Sequence, residues 1–254
     1  MKKVTMPSLK KKKGVEKITM ITCYDASFAR LVEKSGIDSI LVGDSLGMVI
    51  KGNSTTLDVD IAEVEYHLRA VKKGAETPLI IADMPFGSYQ TTVADGINNA
   101  VKLMKAGAEA VKVEGGKEVS KLIESLSVFG IPVVGHVGLT PQYVNKFGGF
   151  GKRGKTSKER KFIFESAAAV EQAGADMIVL EMIPEELALE ITAELKIPTI
   201  GIGAGTKTDG QVIVIYDLIG INEEFNPSFL KKQCNLDKTI TEALKRYKFE
   251  TLAL

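Results

Sequence analysis

Residues 106–114 read AGAEAVKVE, and residues 173–181 repeat the phrase as AGADMIVLE. Each begins with a glycine suited to stopping a helix, follows with an acid, and runs through a short strand-like stretch into a glutamate. Glu114 and Glu181 stand at the same offset from their glycines. A third version, SGIDSILVGD at 35–44, is one residue longer and ends in Asp44. Stacked βα units produce such echoes. Within Val111-Lys112-Val113-Glu114, side chains alternate faces, so the lysine and glutamate share one face and the two valines the other. Two readings are open: an edge strand with a solvated face, or a strand whose polar face lines a reaction centre.

Outward from these phrases, short β-branched runs recur at 18–24, 39–44, 79–84, 110–114, 132–137, 177–182, 198–203 and 211–216. Helical periodicity fills most of the intervals. In 25–36, Phe28, Leu31 and Val32 form the apolar stripe, with Asp25 as N-cap and Gly36 as stop. In 60–74 the stripe is Ile61, Val64, Leu68 and Val71, and Asp60 with Glu63 spells a capping box. Segments 93–107, 118–130, 158–174 and 184–195 follow the same plan. Eight strands alternating with helices in 254 residues predict a single (β/α)8 TIM barrel over 1–254. A short basic N-terminal extension precedes it and a helix near 237–249 closes it. A doubly wound sheet would place a glycine-rich phosphate turn after the first strand, where CYDASF has no glycine. The late GIGAG at 201–205 reads better as a tight turn at a barrel mouth.

Composition narrows the partners. Lys+Arg 33 against Asp+Glu 32 gives a net charge of +1, which offers no reason to expect nucleic acid or a membrane surface. No apolar run approaches the ~20 residues of a membrane helix, and no signal-peptide core follows the basic start. Cys23 and Cys234 have no metal-ligand spacing and read as buried thiols in a reducing cytoplasm.

The acids mark strand ends: Asp44 closes ILVGD, Asp83 LIIAD, Glu114 VKVE and Glu181 IVLE. In a βα barrel these ends open on one mouth, where barrel enzymes hold their chemistry. Any single acid there has a competing task as helix cap. Four together repel and call for a cation, and oxygen ligands without cysteine or several histidines suit Mg2+ better than Zn2+. A barrel has no edge strands, which favours the reaction-centre reading of VKVE. His136, ending VVGH, is either a substrate contact or a hydrogen-bonded structural histidine. Ser45 either binds a carboxylate or starts a turn. His67, beside an apolar stripe, is read as packing.

The stretches ITCYDASFARL, LVGDSLGMVIKGNSTTLDV, IADMPFGSY, AGAEAVKVEGG, GHVGLTPQ, LEMIPEELA and GIGAGTKTDGQVIV closely resemble, in order, the 3-methyl-2-oxobutanoate (ketopantoate) hydroxymethyltransferase family. The resemblance implies a (β/α)8 barrel, Mg2+, 5,10-methylenetetrahydrofolate as one-carbon donor and a homo-oligomer, commonly a decamer. It places Mg2+ on Asp44, Asp83 and Glu114, oxoacid contacts on Asp44, Ser45, Asp83 and Lys112, and the general base on Glu181. The implied reaction is an aldol-type addition in pantothenate biosynthesis. The rivals are a Mg2+ oxyacid lyase of the phosphoenolpyruvate mutase/isocitrate lyase type and a non-catalytic oxoacid binder. Residues 151–161, GKRGKTSKERK, are more cationic than the family leads one to expect. They are read either as a solvated loop or as an attractor for the glutamate tail of the folate.

Overall fold

In the computed structural model of the chain, which describes residues 2–222, 226–227 and 229–254, the β-branched runs form eight strands. They are β1 (Ile18–Thr22), β2 (Ser39–Val42), β3 (Leu79–Asp83), β4 (Ala110–Glu114), β5 (Val133–Gly138), β6 (Met177–Glu181), β7 (Thr199–Ile202) and β8 (Gly210–Ile213). They close into a barrel in chain order, each parallel to its neighbours. α1 (Met6–Lys10) precedes the barrel. The connections carry α2 (Ala26–Ser35), the short α3 (Leu46–Val49), α4 (Ile61–Lys72), α5 (Val93–Ala106), α6 (Ser120–Val128), the short α7 (Val144–Phe147), α8 (Ser157–Gln172) and α9 (Glu185–Glu194).

Local chemistry sets the helix ends. Asp25 accepts from the backbone N–H groups of Ser27 and Phe28, and Gly36 closes α2 in the left-handed region at φ 73°. Asp60 and Glu63 complete the capping box of α4. The α2 stripe is narrower than its sequence suggests. Ala29 and Val32 are buried, whereas Leu31 is 58% exposed. One residue before Val32, it is turned about 100° from that line.

Inward-facing residues Ile18, Met20, Leu41, Ile81, Val134, Met177, Val179, Ile200 and Val212 fill the barrel. Met6 and Leu9 of α1 join that core from below, so the basic N-terminal segment is a plug and not a loose extension. Its lysines are distributed around the barrel floor. Lys12 pairs with Asp38 at 2.7 Å, Lys3 with Glu109 at 2.5 Å, Lys10 with Asp176 at 2.9 Å and Lys13 with Asp209 at 2.8 Å. Each acid stands just before an even-numbered strand and accepts a backbone N–H from the odd-numbered strand beside it. The donors are Thr19, Ile80, Val133 and Thr199. The acids of the echoed phrases are therefore floor staples.

The chain forms two compact units, Met1–Val212 and Ile213–Leu254. The second contains the short α10 (Ile215–Leu218) and α11 (Leu236–Leu252), the latter N-capped by Asn235 and carrying no buried side chain. Cys234 is exposed, contrary to the sequence reading, while Cys23 is buried; the segment 229–235 has no regular element to cover it. No helix among the described residues is long and apolar enough to cross a membrane.

Candidate active site

Strand register builds the site as a staircase at the C-terminal ends. Asp83 on β3 lies level with Lys112 on β4, Glu114 with His136 on β5, and Gly138 with Glu181 on β6. Alternation turns Asp83, Lys112, Glu114, His136 and Glu181 inward, because a residue two or four places below each of them (Ile81, Ala110, Val134 or Val179) belongs to the barrel core. Lys112 and Glu114 are 3% and 1% exposed. A solvated edge is excluded for VKVE.

Lys112 Nζ lies 2.8 Å from Asp83 Oδ1, 3.5 Å from Glu114 Oε1 and 3.2 Å from His136 Nδ1. His136 reaches Glu114 Oε1 at 3.3 Å through Nδ1 and Glu181 Oε2 at 3.2 Å through Nε2. Two of these contacts are close but poorly directed: Asp83 Oδ1 and His136 Nε2 have charge partners without a well-aligned hydrogen bond. Asp83 Oδ2 accepts from the Asp44 N–H at 3.1 Å, bringing the two aspartates together.

None of the four strand-end acids caps the next helix. Those N-cap positions belong to Ser45, Thr92, Val119 and Pro184. Ser45 starts α3 but makes no side-chain cap; its Oγ lies 2.8 Å from the Tyr24 hydroxyl. His67 is a packing residue, its Nδ1 2.6 Å from the Tyr24 carbonyl and its ring edge-on to Tyr66.

Charge is unbalanced here. Burial, and then the charges of Asp83 and Glu114, push the Asp44 carboxyl well above its ordinary range. Burial raises Asp83 as well, against the pull of Lys112. Burial alone would raise Glu114, but Lys112 and His136 outweigh it and hold it low. Burial would lower Lys112, yet Asp83, Glu114 and Asp44 keep it charged and above its usual value. Burial and Lys112 oppose protonation of His136, whereas Glu114 and Glu181 raise it to about 9. A protonated His136 aims one N–H edge at each glutamate.

Sequence reasoning missed Gln142. It lies in a single 3-10 turn, Pro141–Tyr143, within GHVGLTPQ. Its backbone N–H donates to Glu114 Oε2 at 3.0 Å, and Nε2 donates to Asp44 Oδ2 at 2.9 Å and the Met84 carbonyl at 3.0 Å. Its Oε1 accepts from the Tyr89 hydroxyl at 2.8 Å. One buried amide thus ties the loops after β2, β3 and β4. The backbone beside Glu181 is equally constrained. Met182 has φ 49°, the one non-glycine residue with positive φ among those described, and its N–H and C=O are both bonded, to the Ile202 carbonyl and the Arg153 N–H. Gly138 has φ 100°, and a Cβ there would fall 2.3 Å from the Glu181 carbonyl.

The cationic segment is partly neutralised. Arg153 pairs with Glu159, Arg160 with Glu190 and Lys161 with Glu165. Residues from Ser157 onward are helix α8, so only its first half is a loop.

A closed parallel barrel with buried acids, a lysine and a histidine converging at the strand ends defines an enzyme of the (β/α)8 class. The sequence profile described as ketopantoate hydroxymethyltransferase matches residues 3–252, and the chain belongs to that family. Its relatives include the 3-methyl-2-oxobutanoate hydroxymethyltransferase of Thermotoga sp. (strain RQ2), 51% identical over 247 residues, 97% of this chain and 92% of that one. The protein of the same name from Syntrophus aciditrophicus (strain SB) is 50% identical over 238 residues, 93% of this chain and 87% of that one. Among solved structures, 2,3-dimethylmalate lyase superposes with a TM-score of 0.67 at 14% identity, covering 98% of this chain and 89% of that one. Phosphonopyruvate hydrolase, in complex with oxalate and Mg2+, gives 0.64 at 14% identity, covering 98% and 87%. At that identity the likeness shows the fold alone. The lyase alternative shares the architecture, and the near-full-length identities place the chain with the hydroxymethyltransferases.

Proposed function

We propose that this enzyme transfers the one-carbon unit of 5,10-methylenetetrahydrofolate to 3-methyl-2-oxobutanoate, giving 2-dehydropantoate in pantothenate biosynthesis. The observation carrying the reading is the buried Asp83–Lys112–Glu114–His136–Glu181 array, whose charges sit at one barrel mouth. The site roles follow the family resemblance. Lys112, Ser45, Asp44 and Asp83 would bind the oxoacid, with Asp44 and Asp83 also among the residues that would hold a metal ion. Glu181 takes the proton from C3, with His136 Nε2 3.2 Å from its Oε2. Lys112 balances the negative charge that moves onto the enolate. The C3 carbanion electrons then form the bond to the donor methylene, water supplies the hydroxyl, and tetrahydrofolate leaves.

The residues fit Mg2+. Three carboxylates are buried around one lysine, and Asp83 Oδ1 lacks a well-directed hydrogen bond. Among the described residues no group of three or more His, Cys, Asp or Glu is gathered tightly enough to form a metal cage alone. That suits an ion usually bound by one or two carboxylates plus water and substrate oxygen. Asp44, Asp83 and Glu114 would hold it. When bound, Mg2+ supplies Lewis acidity at the keto oxygen, which acidifies C3–H. The wider reading is a cytoplasmic homo-oligomer, decameric by family likeness, with small-molecule partners only.

An assay of oxoacid plus methylenetetrahydrofolate, with Mg2+ and with chelator, tests this. Mg2+-dependent 2-dehydropantoate formation is expected, with Asp44→Ala, Asp83→Ala and Glu114→Ala each inactive. Full turnover in chelator, or in any of the three variants, would overturn the metal assignment. A parent enzyme making no 2-dehydropantoate with Mg2+ present would overturn the substrate pair.

A further inference from the structure

A half-open cleft lies beside the acid array, between the strand ends of β4 and β5 and the start of α8. Its walls are apolar and aromatic: Val137, Tyr143, Phe147, Phe162 and Ile163. The Tyr143 and Phe147 rings stack, with centroids 6.0 Å apart and planes 23° from parallel. Phe162 faces them from α8 and is 62% exposed. Gly116 lets the chain at the end of β4 pack closely against α8 at the lining of the cleft; a Cβ there would fall 2.4 Å from Ser166 Oγ. Cations ring the opening. Arg153 lies 4.2 Å over the Phe147 ring and Lys146 5.7 Å over Tyr143, with Lys152 and Lys155 further along the same loop. Glu159 offsets Arg153, and Glu118 accepts from the Tyr143 hydroxyl at 3.3 Å, so the slot itself is near neutral and the surplus positive charge lies along the loop.

The cleft adjoins the reacting groups. Gly115 follows Glu114 directly, Gly138 pairs in register with Glu181, and the loop's Arg153 N–H donates to the carbonyl of Met182. An apolar cleft walled by aromatic side chains, with Phe162 62% exposed, selects a planar aromatic system, since aromatic rings pack favourably on one another in offset or edge-to-face arrangements. The cationic loop beyond selects an anionic tail. Resting on the function proposed above, we propose that this cleft seats the aromatic ring system of the folate donor, with its glutamate carboxylates toward Lys146, Lys152 and Lys155.

The test uses full-length enzyme with Mg2+ and two independent readouts. Titration calorimetry with tetrahydrofolate, which undergoes no turnover, reads the slot. C3–H exchange of the oxoacid in deuterated water, which needs no folate, reads the acid array. Phe147→Ala and Phe162→Ala are each expected to weaken tetrahydrofolate binding by about tenfold, the scale of one aromatic stack with its buried area. Exchange is expected to stay within about twofold of the parent, showing that the fold and acid array persist. Phe147→Tyr, which keeps the ring, is expected to restore binding. Parent-like tetrahydrofolate affinity in both alanine variants would overturn the slot while leaving the reaction standing. A parent enzyme that catalyses no exchange would instead overturn the reaction, and the slot's ligand with it.

Discussion

At the scale of single residues, the site depends on who holds whom. Gln142 holds Asp44 through its side chain and Glu114 through its backbone. Replacing it with leucine keeps the bulk but leaves the Met84 carbonyl and Asp44 carboxylate without this donor. Loss of such buried hydrogen bonds costs about 2–3 kcal/mol, readable as a lower denaturant midpoint. Because Gln142 orients a proposed metal ligand, Mn2+ affinity measured by electron paramagnetic resonance should fall at least about tenfold. Unchanged Mn2+ affinity would reduce Gln142 to a purely structural bridge. The contrast with Lys112 and Glu114 explains what sequence can reveal. Their shared face follows from period-two alternation within four residues. Gln142 sits in an aperiodic turn, and its importance arises only when loops 28 and 98 residues away meet it.

At the scale of elements, the plug and staples make the barrel floor sensitive to acid. Burial alone would raise Asp38, but Lys12 and Thr19 outweigh it; Lys13 and Thr199 do the same for Asp209, and both aspartates end low. A carboxyl depressed on folding binds fewer protons folded than unfolded. Its stabilisation is therefore complete above the ordinary aspartate value of about 4 and disappears as pH falls through the lower folded value. Asp209→Ala would leave Thr199 N–H and Gly14 N–H unpartnered and remove the charge partner of Lys13, a loss of about 3 kcal/mol at neutral pH. The difference from the parent should shrink below pH 4 as the parent's own carboxylate protonates. Thermal melts from pH 7 to pH 3 would show it, and a constant gap across that range would contradict the staple. Three of the staple acids, Asp38, Glu109 and Asp176, were visible in the echoed phrases, yet their lysines lie up to 166 residues away. Nothing local in a run of lysines distinguishes a plug from a solvated tail.

At the scale of the whole molecule, alternating helix and strand periodicity was enough for the barrel, because each βα unit repeats the same local code. It also placed Asp44, Asp83, Glu114 and Glu181 at one mouth, since strand polarity is shared. The order of contacts inside the mouth was not legible. It depends on the register between neighbouring strands, which sets Asp83 against Lys112 and Glu114 against His136. The aromatic cleft escaped for a related reason: Tyr143 and Phe147 share one short turn and helix, but Phe162, which completes the wall, comes from α8. On the proposed function, this assembled mouth removes the C3 proton of the oxoacid through Glu181. The direct measurement is proton NMR of 3-methyl-2-oxobutanoate in deuterated water with Mg2+ and no folate, comparing the parent with Glu181→Gln. The parent should erase the C3–H signal, and the variant should do so roughly a hundredfold more slowly while still binding the oxoacid. Equal exchange rates in the two proteins would contradict the claim.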